Sequence, residues 1–265
     1  MKVFDFNALL SSREKADTDM IIAIGVFDGV HKGHRKIFET VSECARKNTG
    51  YESMCITFST NPKNSHSGSL DTMRLREEYV SSFAINSFTI IDFSENFSKI
   101  SASGFASEIL RLCRPRILVV GSDFKCGNPK ESADGDGMVG LFASEGVDVE
   151  LKKVDFVLSE SGEKISSTLL RRLIKDGDLE SYSRLSGQSY RVDLMTEPSR
   201  FDQEGLTICR EHIRQLLPPP GAYEGTFVNM EGNEYPVMID ISDSLLSILG
   251  RCSGQRDSLF ITRRR

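Results

Sequence analysis

Tryptophan is absent from this chain, and histidine is scarce: His31, His34, His66 and His212 are its four imidazoles. No apolar run approaches the roughly 18 residues that would span a bilayer. Asp5 interrupts the one apolar stretch near the start, MKVFDFNALL, which therefore does not read as a secretory signal. The six cysteines (Cys44, Cys55, Cys113, Cys126, Cys209, Cys252) include no C-x-x-C pair, the spacing by which a zinc site usually announces itself. They are also too scattered for a disulfide framework, so reduced thiols in a cytoplasmic protein are expected. Nor is there a basic excess. With 33 Lys and Arg against 38 Asp and Glu, the net charge is −5, and a nucleic-acid footprint is not expected. Phenylalanine is plentiful, at 16 residues, in a chain of 265. That length suits one large domain or two modest ones, taking roughly 100–200 residues for each.

The first two-thirds alternates strand-like and helix-like segments. Met20–Val26 is a continuous apolar run ending in a Gly-rich turn, FDGVHKG. From His34 the period changes, and Ile37, Phe38, Val41, Cys44 and Ala45 fall on one helical face. Ser53–Phe58 reads as a second strand closed by an Asn61-Pro62 turn, and Phe88–Phe93 as a third. Ile117–Val120 and Val147–Leu151 supply a fourth and a fifth. Helices are expected over Met73–Phe83, after an N-cap at Ser101, over Ser166–Ile174, and over Leu179–Leu185 beyond the Gly177 breaker. Such alternation predicts an α/β fold with an open, mostly parallel sheet. Ligands of such sheets sit beyond the carboxyl ends of the strands. After about Tyr190 the texture shifts to a small β-rich C-terminal module, with a firm break at Pro218–Gly221 and short strands at Tyr223–Asn229 and Glu234–Asp240. The expected domains are 1–187 and 188–265. The closing Arg263-Arg264-Arg265 reads as a solvated end.

The chemistry concentrates in Gly25-Val-Phe-Asp-Gly-Val-His-Lys-Gly-His34. A buried strand delivers the chain to a Gly-rich turn, and a helix starts at its end. Helix starts offer unsatisfied N–H groups and a partial positive charge, so they attract phosphate. Gly25, Gly29 and Gly33 would let backbone approach such a ligand, since no Cβ intervenes. His31 and His34 are spaced to set both imidazoles beside the helix start, where they can donate to phosphoryl oxygens. Taken alone, an H-x-G-H string is equally compatible with two surface histidines near a turn.

In its full context this string resembles the H-x-G-H nucleotidyltransferases, and among them the FMN adenylyltransferase domain of bacterial FAD synthetases. Three further segments are similar to that family in the same order. Thr57-Phe58 with Asn61-Pro62 looks like its T-F-x-P-x-P loop, with Thr60 where the first Pro is usual. Gly121-Ser-Asp-Phe124 resembles G-x-D-F-x-F-G, with Cys126 in place of the second Phe and Gly127 kept. Ile165-Ser-Ser-Thr-Leu-Leu-Arg171 matches I-S-S-T-x-x-R in full. The resemblance covers roughly residues 1–190. It implies a Rossmann-like nucleotidyltransferase domain, with ATP and FMN as substrates, Mg²⁺ as cofactor, and FAD and pyrophosphate as products.

By the same resemblance His31, His34 and Arg171 are the catalytic candidates. The histidines would steady charge on the α-phosphate, and Arg171 would grip the leaving pyrophosphate with its planar fork. Gly25, Phe27, Asp28, Gly33, Ser166, Ser167 and Thr168 would bind ATP phosphate. Asn61 and Asp123 would lie on the flavin side, and no protein metal ligand is assigned. Read by themselves, Ser166–Thr168 are an ordinary N-cap, and Phe27 is a core aromatic at a strand end. Cys126 and the long, acidic segment Asn128–Asp134 depart from the family pattern and bear on flavin affinity.

The full-length family adds a riboflavin kinase module that opens with a Gly-rich G-R-x-L-G-x-P-T-A-N segment. No such segment occurs here. The stretch 191–265 is short for a six-stranded barrel, and only Leu216–Tyr223 and the strand pair after it are similar to that module's L-P-P-G-V-Y stretch. A degenerate, kinase-inactive remnant is therefore expected. The expected partners are small nucleotides, with neither nucleic acid nor membrane, and the oligomeric state is not legible. Three rivals stand beside this reading. One is an H-x-G-H transferase with another phosphate acceptor. A second is a class I aminoacyl-tRNA synthetase, disfavoured by the −5 charge. The third is a catalytically silent flavin- or nucleotide-binding module.

Overall fold

The computed structural model describes residues 1–12, 18–59, 68–92, 97–195, 199–201, 205–250 and 252–265. The chain divides into two compact units: Met1–Phe27, Gly33–Ser65 and Arg76–Val157 form the first, and Asp28–Lys32, His66–Leu75 and Leu158–Arg265 the second.

The first unit is α/β. In chain order its elements are β1 (Lys2–Asp5), α1 (Phe6–Ser12), β2 (Asp19–Ile24), α2 (Lys32–Lys47), β3 (Glu52–Phe58), α3 (Met73–Ser81), β4 (Ser87–Ile91), α4 (Ala102–Leu112), β5 (Arg114–Gly121), α5 (Gly135–Ser144) and β6 (Glu150–Val154). The sheet order is β1-β4-β3-β2-β5-β6, and every pairing is parallel. Strand β2 is central, and Met20 to Ile24 are each at most 1% exposed. A run buried on both faces must be continuously apolar, which is why Met20–Ile24 shows no alternation. Phe6, Ile22, Ile24, Phe105, Leu118 and Phe142 anchor one shared core. Fully burying each such side chain contributes about 1.5–3 kcal/mol.

The helices follow their sequence periods. On α2 the buried residues are Ile37, Phe38, Val41 and Cys44. Ser101 caps α4 by accepting the Gly104 N–H at 3.0 Å. Three elements of this unit escaped the sequence reading, β1, α1 and α5, and β6 begins three residues later than Val147.

Besides Asp28–Lys32 and His66–Leu75, the second unit contains α6 (Ser167–Asp176) and α7 (Leu179–Ser186), separated by Gly177 in the left-handed region at φ 74°. An antiparallel sheet follows: β7 (Tyr190–Asp193), β8 (Ser199–Phe201), β9 (Gly205–Cys209), β10 (Gly221–Asn229), β11 (Glu234–Ile241), β12 (Leu245–Leu249) and β13 (Arg256–Arg264), in the order β7-β13-β10-β11-β12-β9-β8. Among the described residues seven strands fit into the length that seemed too small for six. Leu170, Ile174, Leu179 and Tyr182 of α6 and α7 share one core with Tyr190 and Val192 of β7. The C-terminal arginines are exposed, as a solvated end would be, and they are also paired. Arg263 lies in β13, and Arg263 and Arg265 both donate to Glu224, at 2.7 and 3.0 Å.

Among the described residues no helix is long and apolar enough to cross a membrane.

Candidate active site

In the first unit the strand order reverses at β2. Strands β3 and β4 run out to one side and β5 and β6 to the other. Such a switch point leaves a crevice beyond the carboxyl ends of the two strands that flank it. From β2 the chain passes through Gly25, Val26 and Phe27, and His34 lies in the first turn of α2. From β5 it passes into Ser122, Asp123 and Phe124. Gly25, Phe27, Gly33, His34 and Asp123 thus belong to the loops and helix start at this one edge. The first turn of α2 reads Lys32-Gly33-His34-Arg35 and carries no acidic side chain. The first turn thus brings no acidic side chain of its own to the positive end of the helix dipole.

Two of these residues are explained by packing. Phe27 takes a left-handed φ of 49° and is 1% exposed. Its ring lies edge-on to His34 at 5.3 Å between centroids and against Phe38 at 4.8 Å. A Cβ on Gly25 would fall 2.7 Å from Phe27 Cζ. Gly25 is therefore small because the Phe27 ring lies over it. The Phe27 ring in turn supports the His34 imidazole.

Val26 forms the next anchor. Its carbonyl accepts from Thr57 Oγ1 at 2.9 Å and from Arg76 Nη1 at 3.1 Å. Arg76 is 2% exposed, and the same nitrogen also reaches the Phe58 carbonyl at 3.2 Å. One guanidinium so ties the carboxyl ends of β2 and β3. Sequence reasoning passed over Arg76, although an arginine one turn before Val80 on an otherwise apolar face was a usable signal.

The segment from Gly121 to Asp134 is more ordered than its composition suggests. Cys126 and Ala133 exchange backbone hydrogen bonds at 2.9 and 3.0 Å. Asn128 Oδ1 accepts the N–H groups of Lys130 and Glu131, both at 3.0 Å. The Glu131 carbonyl accepts the Ala102 N–H at 2.9 Å. Gly127, at φ 88°, could not carry a side chain, since a Cβ would meet the Glu131 oxygen at 2.5 Å. Burial raises the Cys126 thiol to about 11, so it packs as a neutral apolar group. Asp123 is exposed on this loop. Asn61 lies outside the described residues.

The second unit holds Asp28, His31, Ser166, Ser167, Thr168 and Arg171. Arg171 is 5% exposed, and its Nη2 is ion-paired with Asp28 Oδ2. Asp28 Oδ1 accepts the N–H groups of Leu70 and Asp71, each at 3.0 Å. The Asp28 carbonyl accepts from Ser167 Oγ at 2.6 Å. Asp28 thus organises the loop through protein donors. Ser166 is the N-cap of α6, accepting the Leu169 N–H at 3.3 Å. Of the three expected hydroxyls, Ser166 and Ser167 hold backbone, while Thr168 is exposed. Arg171 is not used up by Asp28: its Nε and Nη1 are buried and have no hydrogen-bond partner among the described residues. A guanidinium with two unanswered donors is what an anion would complete.

Gly29 also serves packing. At φ 66°, a Cβ there would strike Leu70 Cδ1 at 2.4 Å. Next to it Val30 donates its N–H to Asp71 Oδ2 at 2.9 Å, and His31 is 6% exposed. Asp71, 2% exposed, was not singled out in the sequence. Among the described residues no group of three or more His, Cys, Asp and Glu side chains is placed to hold a metal.

Comparison with known proteins places this site in context. A family model described as FAD synthetase matches residues 13–169. A bifunctional riboflavin kinase/FMN adenylyltransferase of Buchnera aphidicola subsp. Schizaphis graminum is 28% identical over 188 residues, covering 68% of this chain and 58% of that protein. A protein of the same name from Listeria monocytogenes serovar 1/2a is 26% identical over 239 residues, covering 86% of this chain and 74% of its own length. This chain thus spans less than two thirds of the Buchnera relative. Among solved structures, a macrolide-efflux protein from Streptococcus pneumoniae shares the fold at a TM-score of 0.79 and 20% identity, covering 100% of this chain and 91% of that one.

Proposed function

The chain belongs to the FAD synthetase family, and from that premise we propose that it transfers the adenylyl group of ATP to FMN. A phosphate oxygen of FMN forms the new bond to the α-phosphorus of ATP. The bond from that phosphorus to the bridging oxygen breaks, and pyrophosphate leaves. The observation that carries this reading is the acid-free, His-bearing start of α2 at the switch point of a parallel sheet.

A phosphomonoester carries about −1.5 to −2 charge near neutral pH, so the nucleophile is already formed and needs no general base. The difficulty is bringing one anion against another. The protein's task is positioning and charge stabilisation. In this reading His31 and His34 donate to oxygens of the α-phosphate as charge builds there. Backbone N–H groups at the start of α2, around Gly33, receive phosphate. Arg171 keeps one nitrogen on Asp28 and offers Nε and Nη1 to the departing pyrophosphate. Gly25, Phe27 and Asp28 shape the loop that presents the histidines, and Thr168 is the hydroxyl left exposed toward ligand. Asp123 and Asn61 are assigned to the flavin side.

Mg²⁺ fits this site as ATP's companion, held chiefly by phosphate oxygens, because the described side chains form no cage for it. No step is assigned to it. The absence of the Gly-rich kinase segment from 188–265 supports a single activity, without riboflavin phosphorylation. Six cysteines without disulfides suit a cytoplasmic setting, with small nucleotides as partners.

Chromatography of the purified protein with substrates tests the proposal. FMN, ATP and Mg²⁺ should yield FAD, and riboflavin with ATP should yield no FMN. FMN binding without FAD formation would instead mark a silent binding module.

A further inference from the structure

The loop that carries His31 has two left-handed residues in close succession, Phe27 at φ 49° and Gly29 at φ 66°. Such a loop holds one conformation only where its surroundings over-determine it. Three anchors within the second unit do so. Asp28's carbonyl is held by Ser167, and Asp28's carboxylate by Arg171 and by the Leu70 and Asp71 N–H groups. The third anchor is Val30, whose N–H donates to Asp71 Oδ2 at 2.9 Å. Asp28 and Asp71 therefore grip each other's loops reciprocally. Each carboxylate accepts a backbone N–H from the other's segment.

We propose that Asp71 is a positioning residue for the adenylyl transfer, setting the backbone on which His31 is presented. This rests on the function proposed above. Asp71 is 2% exposed, and the contact that matters here is to backbone. It acts through Val30, the residue next to His31, at a point the Asp28 anchors do not reach. The bond joins positions 41 residues apart and is buried. A buried N–H deprived of its acceptor must find another, and the loop shifts to do so. To Val30, Asp71 supplies an acceptor oxygen, so an amide of the same shape should serve that contact nearly as well. An alanine should not.

The test compares Asp71→Asn and Asp71→Ala by steady-state FAD formation and by hydrogen exchange at the Val30 amide. A displacement near 1 Å at a reacting group can cost about 10²-fold in rate. Asp71→Ala should lower kcat about 10- to 100-fold, with KM for ATP and FMN changed less. It should also speed exchange at Val30 while the amides of β2 keep their protection. Asp71→Asn should restore kcat to within about threefold and restore slow exchange at Val30. Unchanged kcat in the alanine variant, or an asparagine variant as impaired as alanine, overturns the proposal. So does an exchange increase spread evenly over the unit, which would mark plain destabilisation. If the wild-type protein makes no FAD, the function proposed above fails. The exchange arm then decides alone whether Asp71 sets the His31 loop.

Discussion

The guanidinium of Arg171 is ion-paired with the carboxylate of Asp28 across 143 positions of sequence, both side chains buried, at 6% and 0% exposure. The pair joins the two strongest motifs of the chain and gives Asp28 a structural duty.

Removing one partner should leave the other charge buried and unanswered, a loss of about 3–5 kcal/mol. Asp28→Asn and Arg171→Met should each show this in chemical unfolding, and the double variant should lose less than the sum. Arg171→Ala should also slow FAD formation by about 10²-fold or more, the scale of one lost charge-stabilising donor. Additive losses in the double variant would mean that the pair is not coupled.

Gly25→Ala should act on His34 through Phe27. The added methyl would displace a ring that already contacts both His34 and Phe38, and overpacking of this kind costs about 1–3 kcal/mol. Shrinking the ring, as Phe27→Leu, should relieve part of that loss in the double variant. Gly25→Ala with native stability and turnover would show that the contact yields without consequence.

Asp193 gives a pH signature. Burial by itself would raise its carboxyl, but hydrogen bonds from Arg74 and Thr72 outweigh burial and hold it below the usual carboxylate value. Arg74 reaches it with a two-pronged contact at 2.8 and 3.0 Å, and Thr72 Oγ1 donates at 2.6 Å. A depressed folded value stabilises the protein above the unfolded value, about 3.9, and that contribution drains away as pH falls through the folded value. Unfolding free energy measured from pH 6 down to pH 2 should fall more steeply in the wild type than in Asp193→Asn. Parallel curves would assign the acid sensitivity to other groups.

Much of this was legible in the sequence because it is local. The face Ile37-Phe38-Val41-Cys44, the cap at Ser101 and the break at Gly177 are each set within a few residues, and the structure shows each one. Parallel pairing followed from the alternation of strands and helices, but strand order did not, since it depends on packing between distant segments. The second sheet was the harder case. β13 carries Arg256, Asp257, Arg263 and Arg264, and its charges find partners far away in sequence, as Arg263 does with Glu224 and Asp257 with Arg74. Read in one dimension, such a strand looks like solvated chain. The motifs single out loops without showing the division of labour inside them. Gly25 and Gly29 answer to Phe27 and Leu70, and Ser167 to the Asp28 carbonyl. Asp71 and Arg76 carry no motif, because their roles arise from hydrogen bonds to backbone far away in sequence.

The most direct measurement follows the α-phosphorus. Purified protein would be given ATP labelled at the α-phosphate, with FMN and Mg²⁺, and the flavins separated. The account predicts label in FAD, one pyrophosphate released for each FAD formed, and a rate about 10²-fold lower or worse in His31→Ala. Label that stays in ATP while FMN is bound, or a His31→Ala variant as fast as the wild type, would contradict it.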